Sequence, residues 1–432
     1  MPGGHDVVGI LAGGGSLPRE IAEHVQASGG TVHIVSIIGE GDRELGDFPL
    51  TKVGWAQVGG MVRALRNAGV TKMVIVGAVR RPDLNAIKPD LGFLLNLPAI
   101  GRIIATTGDD SVLSGVVRFF ESKGFKVVSP VEVMPSLLVD EGPLGAHAPE
   151  ATDMLDIARG FDVVRALGPF DVGQAVVVAG GEIEAIEGAE NTDAMLARLV
   201  LQRKLPEGGV GGRRGVLVKR PKPRQEMRVD MPAIGARTVT RALEAGLRGV
   251  AVLAKGAIAL ERAELRRSAD AGGVFAYGGV DRGATIAAAP AGAFAAPFVT
   301  VGSLAARPQQ LADAARGAAL LAALKPFRSS GGTVIDRGHV LSIECGEGIA
   351  ALIARSGNLR QWGRRRWSRR SAVAVVSGEA APDLASVVAA AAAAQFAGIA
   401  VLGRSPDDLA HGIEAADRHG LFLIAAPQGS GA

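Results

Sequence analysis

Short apolar runs alternating with helix-length amphipathic segments predict an α/β protein, and three observations sharpen that class. The first third of the chain carries four runs that read as buried strands: DVVGILA, TVHIVSI, KMVIVGA and FKVVSP. Between them, SLPREIAEHVQASG and VGGMVRALRNAG read as helices, each closing at a glycine that takes the left-handed C-cap conformation without a Cβ clash. Beyond that third, the sequence repeats: DIARGFDVVRALGPF at 156–170 is matched by DAARGAALLAALKPF at 313–327. The predicted architecture is therefore a Rossmann-like, mostly parallel domain over 1–132, an α/β domain over 133–281, and a degenerate second copy of the latter over 295–432.

The repeat runs at an offset of 157 residues without a gap through Arg159/Arg316, Pro169/Pro326, Gly181/Gly338, Glu187/Glu344, Glu190/Glu347 and Arg198/Arg355. That offset still holds where GVLVK faces AVAVV, but it has fallen to 149 where RGVAVLAKG faces AGIAVLGRS. The eight residues missing from the second copy fall within the stretch KPRQEMRVDMPAIG, which begins at Lys222. Thr192 and Asp193 also become Ile349 and Ala350. A copy that keeps fold-forming positions and sheds polar ones reads as catalytically retired. The Ala/Gly/Pro-rich ATIAAAPAGAFAAPF reads as the connector, and the two copies are expected to pack as an intrachain pseudo-dimer.

Bulk properties bound the function. With 432 residues and 48% hydrophobic content, at a mean hydropathy of +0.25, the chain can fill several cores. A single cysteine, Cys345, excludes an internal disulfide framework, and the absence of a Cys/His cluster excludes a structural zinc site. The N-terminus lacks a basic region ahead of its apolar run, and the longest apolar stretch, VVAAAAAAQFAGIAVLG, is broken by Gln395 and Gly398. It reads as a buried helix running into a strand, so the expected location is the cytoplasm. A net charge of +4 and a pI near 9.4 favour phosphates or anionic headgroups as partners. The segment RQWGRRRWSRR at 360–370 reads as a solvated loop or as a peripheral contact with the inner membrane surface, and no nucleic-acid partner is expected.

The polar motifs have two readings each. KPRQEMRVD places Lys222, Arg224 and Arg228 near Glu226 and Asp230, with prolines at 221, 223 and 232 making an extended, stiffened loop; mixed charge of this kind is more often a solvated surface. Glu187, Glu190 and Asp193 recur at spacings of three before a helix, where Asn191 or Thr192 can serve as the N-cap. Gly13, Gly14 and Gly15 follow the first strand, where backbone amides can approach a phosphate. RRPDL offers Arg81 and Asp83, and TTGDDS offers Thr107, Asp109 and Asp110; a turn and an N-cap are their bland readings.

Taken in order, GILAGGGSLP, RRPDL, TTGDDSVL, DVGQAVVVAGGEIEAIEGAENTDAML, GVLVKRPKPRQEMRVDMPAIG and RGVAVL resemble the LpxI-type UDP-2,3-diacylglucosamine pyrophosphatases of lipid A biosynthesis over about residues 8–278. The resemblance implies a cytoplasmic, magnesium-dependent hydrolase that converts UDP-2,3-diacylglucosamine to UMP and 2,3-diacylglucosamine 1-phosphate (lipid X). It makes Asp230 the first choice for metal binding or water activation, with Asp193, Lys222 and Gln225 as further catalytic candidates. The substrate-binding candidates are Gly13, Gly14, Gly15, Arg81, Asp83, Thr107, Asp109, Asp110, Glu190, Thr192 and Arg228. The chain departs from the family in carrying Asn191 within Glu190-Asn191-Thr192-Asp193, where Glu-Gly-Thr-Asp is usual, and in continuing past the family's usual end. The chemistry agrees with the residues: splitting a diphosphate needs neutralised phosphoryl oxygens and an activated water, supplied by carboxylate-held Mg²⁺ with Lys or Arg. An NAD-linked sugar-nucleotide dehydrogenase is disfavoured by Pro18, which stands where a dinucleotide site wants its third glycine. The intact QEMRVD and NTDAM motifs argue against a non-catalytic lipid- or nucleotide-binding scaffold.

Overall fold

The computed structural model describes residues 7–38, 45–78, 89–98, 100–101, 109–204, 212–223, 225–283, 298–327, 331–360, 370–381 and 383–426; the connector 284–297 and most of the Arg/Trp segment lie outside them. Two compact units form. The first comprises 1–140 together with 224–236 and 254–267, and the second comprises 141–223, 237–253 and 268–432. Where the sequence pattern suggests consecutive segments, the chain thus leaves the second unit twice and returns to it.

The first unit is built on a parallel sheet of order β3-β2-β1-β4-β5, with β1 at Val7–Ala12, β2 at Thr31–Ile37, β3 at Leu50–Val53, β4 at Val70–Val76 and β5 at Lys126–Val127. Alternate side chains of β1 divide between its faces. Val8, Ile10 and Ala12 enter one core with Leu17, Ile21 and Val25 of the helix Leu17–Ala27. Leu11 enters the other with Met61 and Leu65 of the helix Val58–Asn67 and Phe119 and Phe120 of the helix Asp109–Ser122. A sheet buried on both faces has no polar side, which explains why these strands read as unbroken apolar runs. The strand β3 escapes sequence reading because LTKV is short and half polar, and FKVVSP yields only the two residues of β5.

The second unit holds two six-stranded sheets of one design. The first has the order β6-β13-β11-β9-β7-β8, with β6 at Gly142–Pro143, β7 at Ala175–Ala179, β8 at Glu182–Ile186, β9 at Val216–Lys219, β11 at Gly249–Leu253 and β13 at Phe275–Gly279. Strands β10, Ala233–Ile234, and β12, Ile258–Ala259, form a small parallel ribbon in the first unit. The second sheet has the order β14-β19-β18-β17-β15-β16, with β14 at Val299–Thr300, β15 at Gly332–Asp336, β16 at His339–Ile343, β17 at Val373–Ser377, β18 at Gly398–Leu402 and β19 at Phe422–Ala426. Both put three parallel strands in the middle and antiparallel pairs at the edges. A register shift falls at Val177/Val178 in one hairpin and at Val334/Ile335 in the other. Each hairpin turn is held by a buried helical aspartate: Asp156 accepts from the amides of Gly180 and Gly181 at 2.9 and 2.7 Å, and Asp313 from those of Arg337 and Gly338 at the same distances. The alanine-rich stretch forms the helix Leu384–Ala393 followed by β18, as its broken apolar pattern predicts. No helix among the described residues is long and apolar enough to cross a membrane.

The two sheets share one apolar core, in which Phe161, Val164 and Leu167 of the helix Ala151–Leu167 meet Leu320, Leu324 and Phe327 around the helix Pro308–Leu324. Their contacts are reciprocal. Arg159 donates to the carbonyl of Phe327 at 2.8 Å and stacks over its ring, while Arg316 donates to the carbonyl of Phe170 at 2.8 Å and stacks over that ring. Cys345 belongs to this core, and burial pushes its thiol up to about 12. Alkylation of native protein by iodoacetamide near neutral pH is therefore expected to be negligible, with one thiol appearing on denaturation, as read by intact mass.

Candidate functional site

In the first unit, the glycine turn lies at the carboxyl ends of β1 and β4, where the strand order reverses and α/β proteins commonly bind ligands. Its tightness has a steric cause: a Cβ on Gly13 would stand 2.5 Å from the carbonyl oxygen of Ala78, and one on Gly77 2.7 Å from the carbonyl carbon of Gly13. The amides of Gly13 and Gly14 donate to the carbonyls of Val76 and Ala78 at 2.8 and 2.7 Å. Those two glycines serve the β1–β4 junction, whereas Gly15, at φ +99° with open space around its Cα, is the one that faces outward. Pro18 sits buried in the first turn of the following helix. Arg81, Asp83 and Thr107 lie outside the described residues; Asp109 and Asp110 open the helix Asp109–Ser122.

The stretch from Gln225 also belongs to the first unit, and it is a turn instead of the extended loop its prolines predict. The amides of Val229 and Asp230 both donate to the carbonyl of Glu226, at 3.0 and 2.9 Å. Arg228 closes the turn with Nε and Nη2 on the two oxygens of Glu226 at 2.8 and 2.7 Å, and its Nη1 reaches Glu121 at 2.8 Å. Its hydrogen bonds to Glu226 push the Arg228 pKa up and hold the Glu226 carboxyl below its ordinary value. This planar, bidentate pairing spends Arg228 on the turn. Val229 packs against the Phe119/Phe120 core. Gln225 is buried and donates from Nε2 to Oδ2 of half-buried Asp230 at 2.8 Å, so the amide fixes the carboxylate's orientation.

In the second unit, Lys222 pairs with Asp171 at 2.5 Å, at a turn where Asp171 takes φ +49°. Such a left-handed residue persists only where its surroundings hold it. Asn191 is the N-cap of the helix Thr192–Arg203, its Oδ1 accepting from the amide of Ala194 at 2.9 Å, a cap worth about 1 kcal/mol. The Thr192 hydroxyl, freed from capping, donates to buried Glu187 at 2.9 Å, and the amide of Gln174 donates to the same carboxyl at 3.0 Å. Burial raises the Glu187 pKa above its ordinary value, opposed by the nearby charge of Lys219 and by those hydrogen bonds. Asp193 pairs with Arg237 at 2.7 Å. Glu190 is only 5% exposed at its side chain and is spent on Arg198 and Arg355, at 2.9 and 2.8 Å.

The structure thus gathers Gln225, Arg228 and Asp230 in one unit, and Thr192, Asp193 and Glu190 around one helix start in the other. Sequence reasoning missed Lys219, a buried lysine ending the strand VLVK. A charged residue closing a fully buried apolar strand was the available signal; at the matching position the second sheet has Val376. Among the described residues no group of three His, Cys, Asp or Glu side chains is gathered that could by itself hold a metal ion. Mg²⁺ commonly takes one or two carboxylates and completes its shell with phosphate oxygens and water. The residues present would fit such an ion in that shared form, in which Asp230 would be the carboxylate that holds it.

Two α/β units with polar residues on turns at strand ends are the class of protein that commonly binds ligands at such turns. Family comparison narrows the class: residues 7–137 match the LpxI N-terminal domain and 140–277 the LpxI C-terminal domain. A UDP-2,3-diacylglucosamine pyrophosphatase LpxI from Caulobacter vibrioides is 38% identical over 271 residues, covering 63% of this chain and 96% of the relative. The chain belongs to the LpxI family. These matches end before β14, so the second six-stranded sheet lies beyond them.

Glu187 yields a pH prediction. A carboxyl whose folded pKa is raised contributes stability that is complete below its unfolded value, about 4.3, and is lost as pH rises through the higher folded one. Glu187→Gln should escape that loss. Its melting temperature relative to the unmodified protein is expected to climb from acid to neutral pH in parallel thermal unfolding series.

Proposed function

We propose that this chain hydrolyses the diphosphate bond of UDP-2,3-diacylglucosamine, releasing UMP and 2,3-diacylglucosamine 1-phosphate in lipid A biosynthesis. The observation that carries the reading is the 38% identity to a pyrophosphatase of that specificity across 96% of its length. Water adds its hydroxyl to one phosphorus, the bridging P–O bond breaks, and the departing phosphate takes up the proton. Asp230, held by Gln225, is the carboxylate that orients or deprotonates the water or binds the metal. Lys222, set by Asp171, offsets charge on the phosphoryl oxygens. Thr192 in the second unit and the turn at Gly15 in the first are the substrate-binding groups that each unit offers, and Asp193 is a further catalytic residue of the second. Mg²⁺, held by Asp230 together with the diphosphate, supplies further charge neutralisation when bound.

The location consistent with this reading is the cytoplasm, with peripheral contact at the inner membrane surface through the Arg/Trp segment, since the substrate carries two acyl chains. The test is UMP release from UDP-2,3-diacylglucosamine with Mg²⁺ and after chelation. Activity should require the metal, and Asp230→Ala should lower turnover by about 100-fold or more while substrate still binds. Turnover by Asp230→Ala near that of the unmodified enzyme would remove Asp230 from the mechanism.

A further inference from the structure

Two of the contacts between the second six-stranded sheet and the first adjoin residues of the proposed site. At one, Arg316 donates to the carbonyl of Phe170, the residue before left-handed Asp171, which in turn holds Lys222. At the other, the turn Gly188–Glu190 lies against β16. The amide of Ala189 donates to the carbonyl of Leu341 at 2.9 Å, and a Cβ on Gly188 would stand 2.5 Å from that oxygen, so only glycine allows the approach. Arg355 then reaches across to Glu190 at 2.8 Å while pairing with Glu347 of its own sheet. The reciprocal reach is weaker, with Arg198 3.8 Å from Glu347. Two and three residues beyond Glu190 stand Thr192 and Asp193.

We propose that the second sheet, a diverged duplicate of the first, acts as a built-in partner subunit that positions the site-bearing turns of the first, with Arg355 and Arg316 as positioning residues. This rests on the functional reading above. The roles of the two sheets are unequal. Where Glu187 has Thr192 and Lys219 beside it, the matching Glu344 accepts from the backbone amides of Gly331, Gly346 and Gly348. The second sheet keeps the carboxylate that shapes the turn, and Ile349 and Val376 replace Thr192 and Lys219. Arg355 bonds carboxylates on both sheets and fixes where the helix Thr192–Arg203 starts; the hold of Arg316 on Phe170 sets the turn that carries Asp171. Neither arginine needs to touch substrate.

The test compares Arg355→Ala, Arg355→Lys, Arg316→Ala and Arg159→Ala in the full chain. Arg159 packs the same two sheets together through Phe327, away from both turns in sequence, and serves as the control for packing alone. Arg355→Ala and Arg316→Ala should lower kcat/KM for UMP release roughly tenfold or more, the scale set by misplacing groups by about 1 Å. Arg355→Lys should recover most of the Arg355 loss, and Arg159→Ala should lower the melting temperature with kcat and KM unchanged. Hydrogen exchange supplies a readout that needs no substrate: Arg355→Ala should speed exchange at the amides of Ala189 and Ala194. Unaltered kcat/KM in both alanine variants, or losses that merely track melting temperature as in Arg159→Ala, would overturn the proposal. If the unmodified chain released no UMP, the functional reading would fall, and unchanged exchange at Ala189 and Ala194 would separately refute the positioning.

Discussion

Four charged side chains, Arg198, Glu190, Arg355 and Glu347, meet where the two six-stranded sheets join, and all four are largely buried. Bringing ions out of water costs several kcal/mol each, and their mutual attraction repays this only in good geometry. Such a cluster is a poor source of stability but a stringent specifier of register. A slip of either sheet would strand a buried charge, and losing one partner of a buried pair costs about 3–5 kcal/mol. The apolar core between the helices Ala151–Leu167 and Pro308–Leu324 supplies the adhesion, and the ion cluster selects one arrangement out of those a greasy interface would permit.

The same division of labour runs through the site. Arg228 is consumed by Glu226 and Glu121, Glu190 by two arginines, and the amides of Gly13 and Gly14 by the neighbouring strand end. Residue types that suggest ligand contact in the sequence also fix the turns that carry other residues. Asp230 and Thr192 show the result, since each bonds a specific partner, Gln225 and Glu187 respectively.

Much of the fold was legible because apolar periodicity reports burial directly. Strands β1, β2 and β4 announce themselves as runs buried on both faces, and the repeat at 157 residues predicts two sheets of one strand order. What stayed hidden depends on partners distant in sequence. Nothing near Glu190 reveals that, besides Arg198, a second counter-ion lies 165 residues away at Arg355. Nothing local to Gln225 reveals that 224–236 joins the first unit, since that follows from Val229 and Met231 finding apolar partners there. The turn at Glu226–Asp230 was misjudged because prolines report backbone stiffness at their own positions, whereas Arg228 folds the segment back between them. Within the candidate site, family resemblance is what singles out Asp230, and bottom-up reading alone gives only a loop of mixed charge.

The joining of both sheets in one chain alters how their contact responds to concentration. Two separate subunits part on dilution once their concentration falls below the dissociation constant, whereas tethered partners meet at an effective concentration set by the connector, commonly in the millimolar range. The contact of Arg355 with Glu190 and that of Leu341 with Ala189 are therefore intramolecular and persist at any protein concentration. A chain present in only a few molecules per cell keeps its turns braced, and no time is spent waiting for a second molecule to arrive.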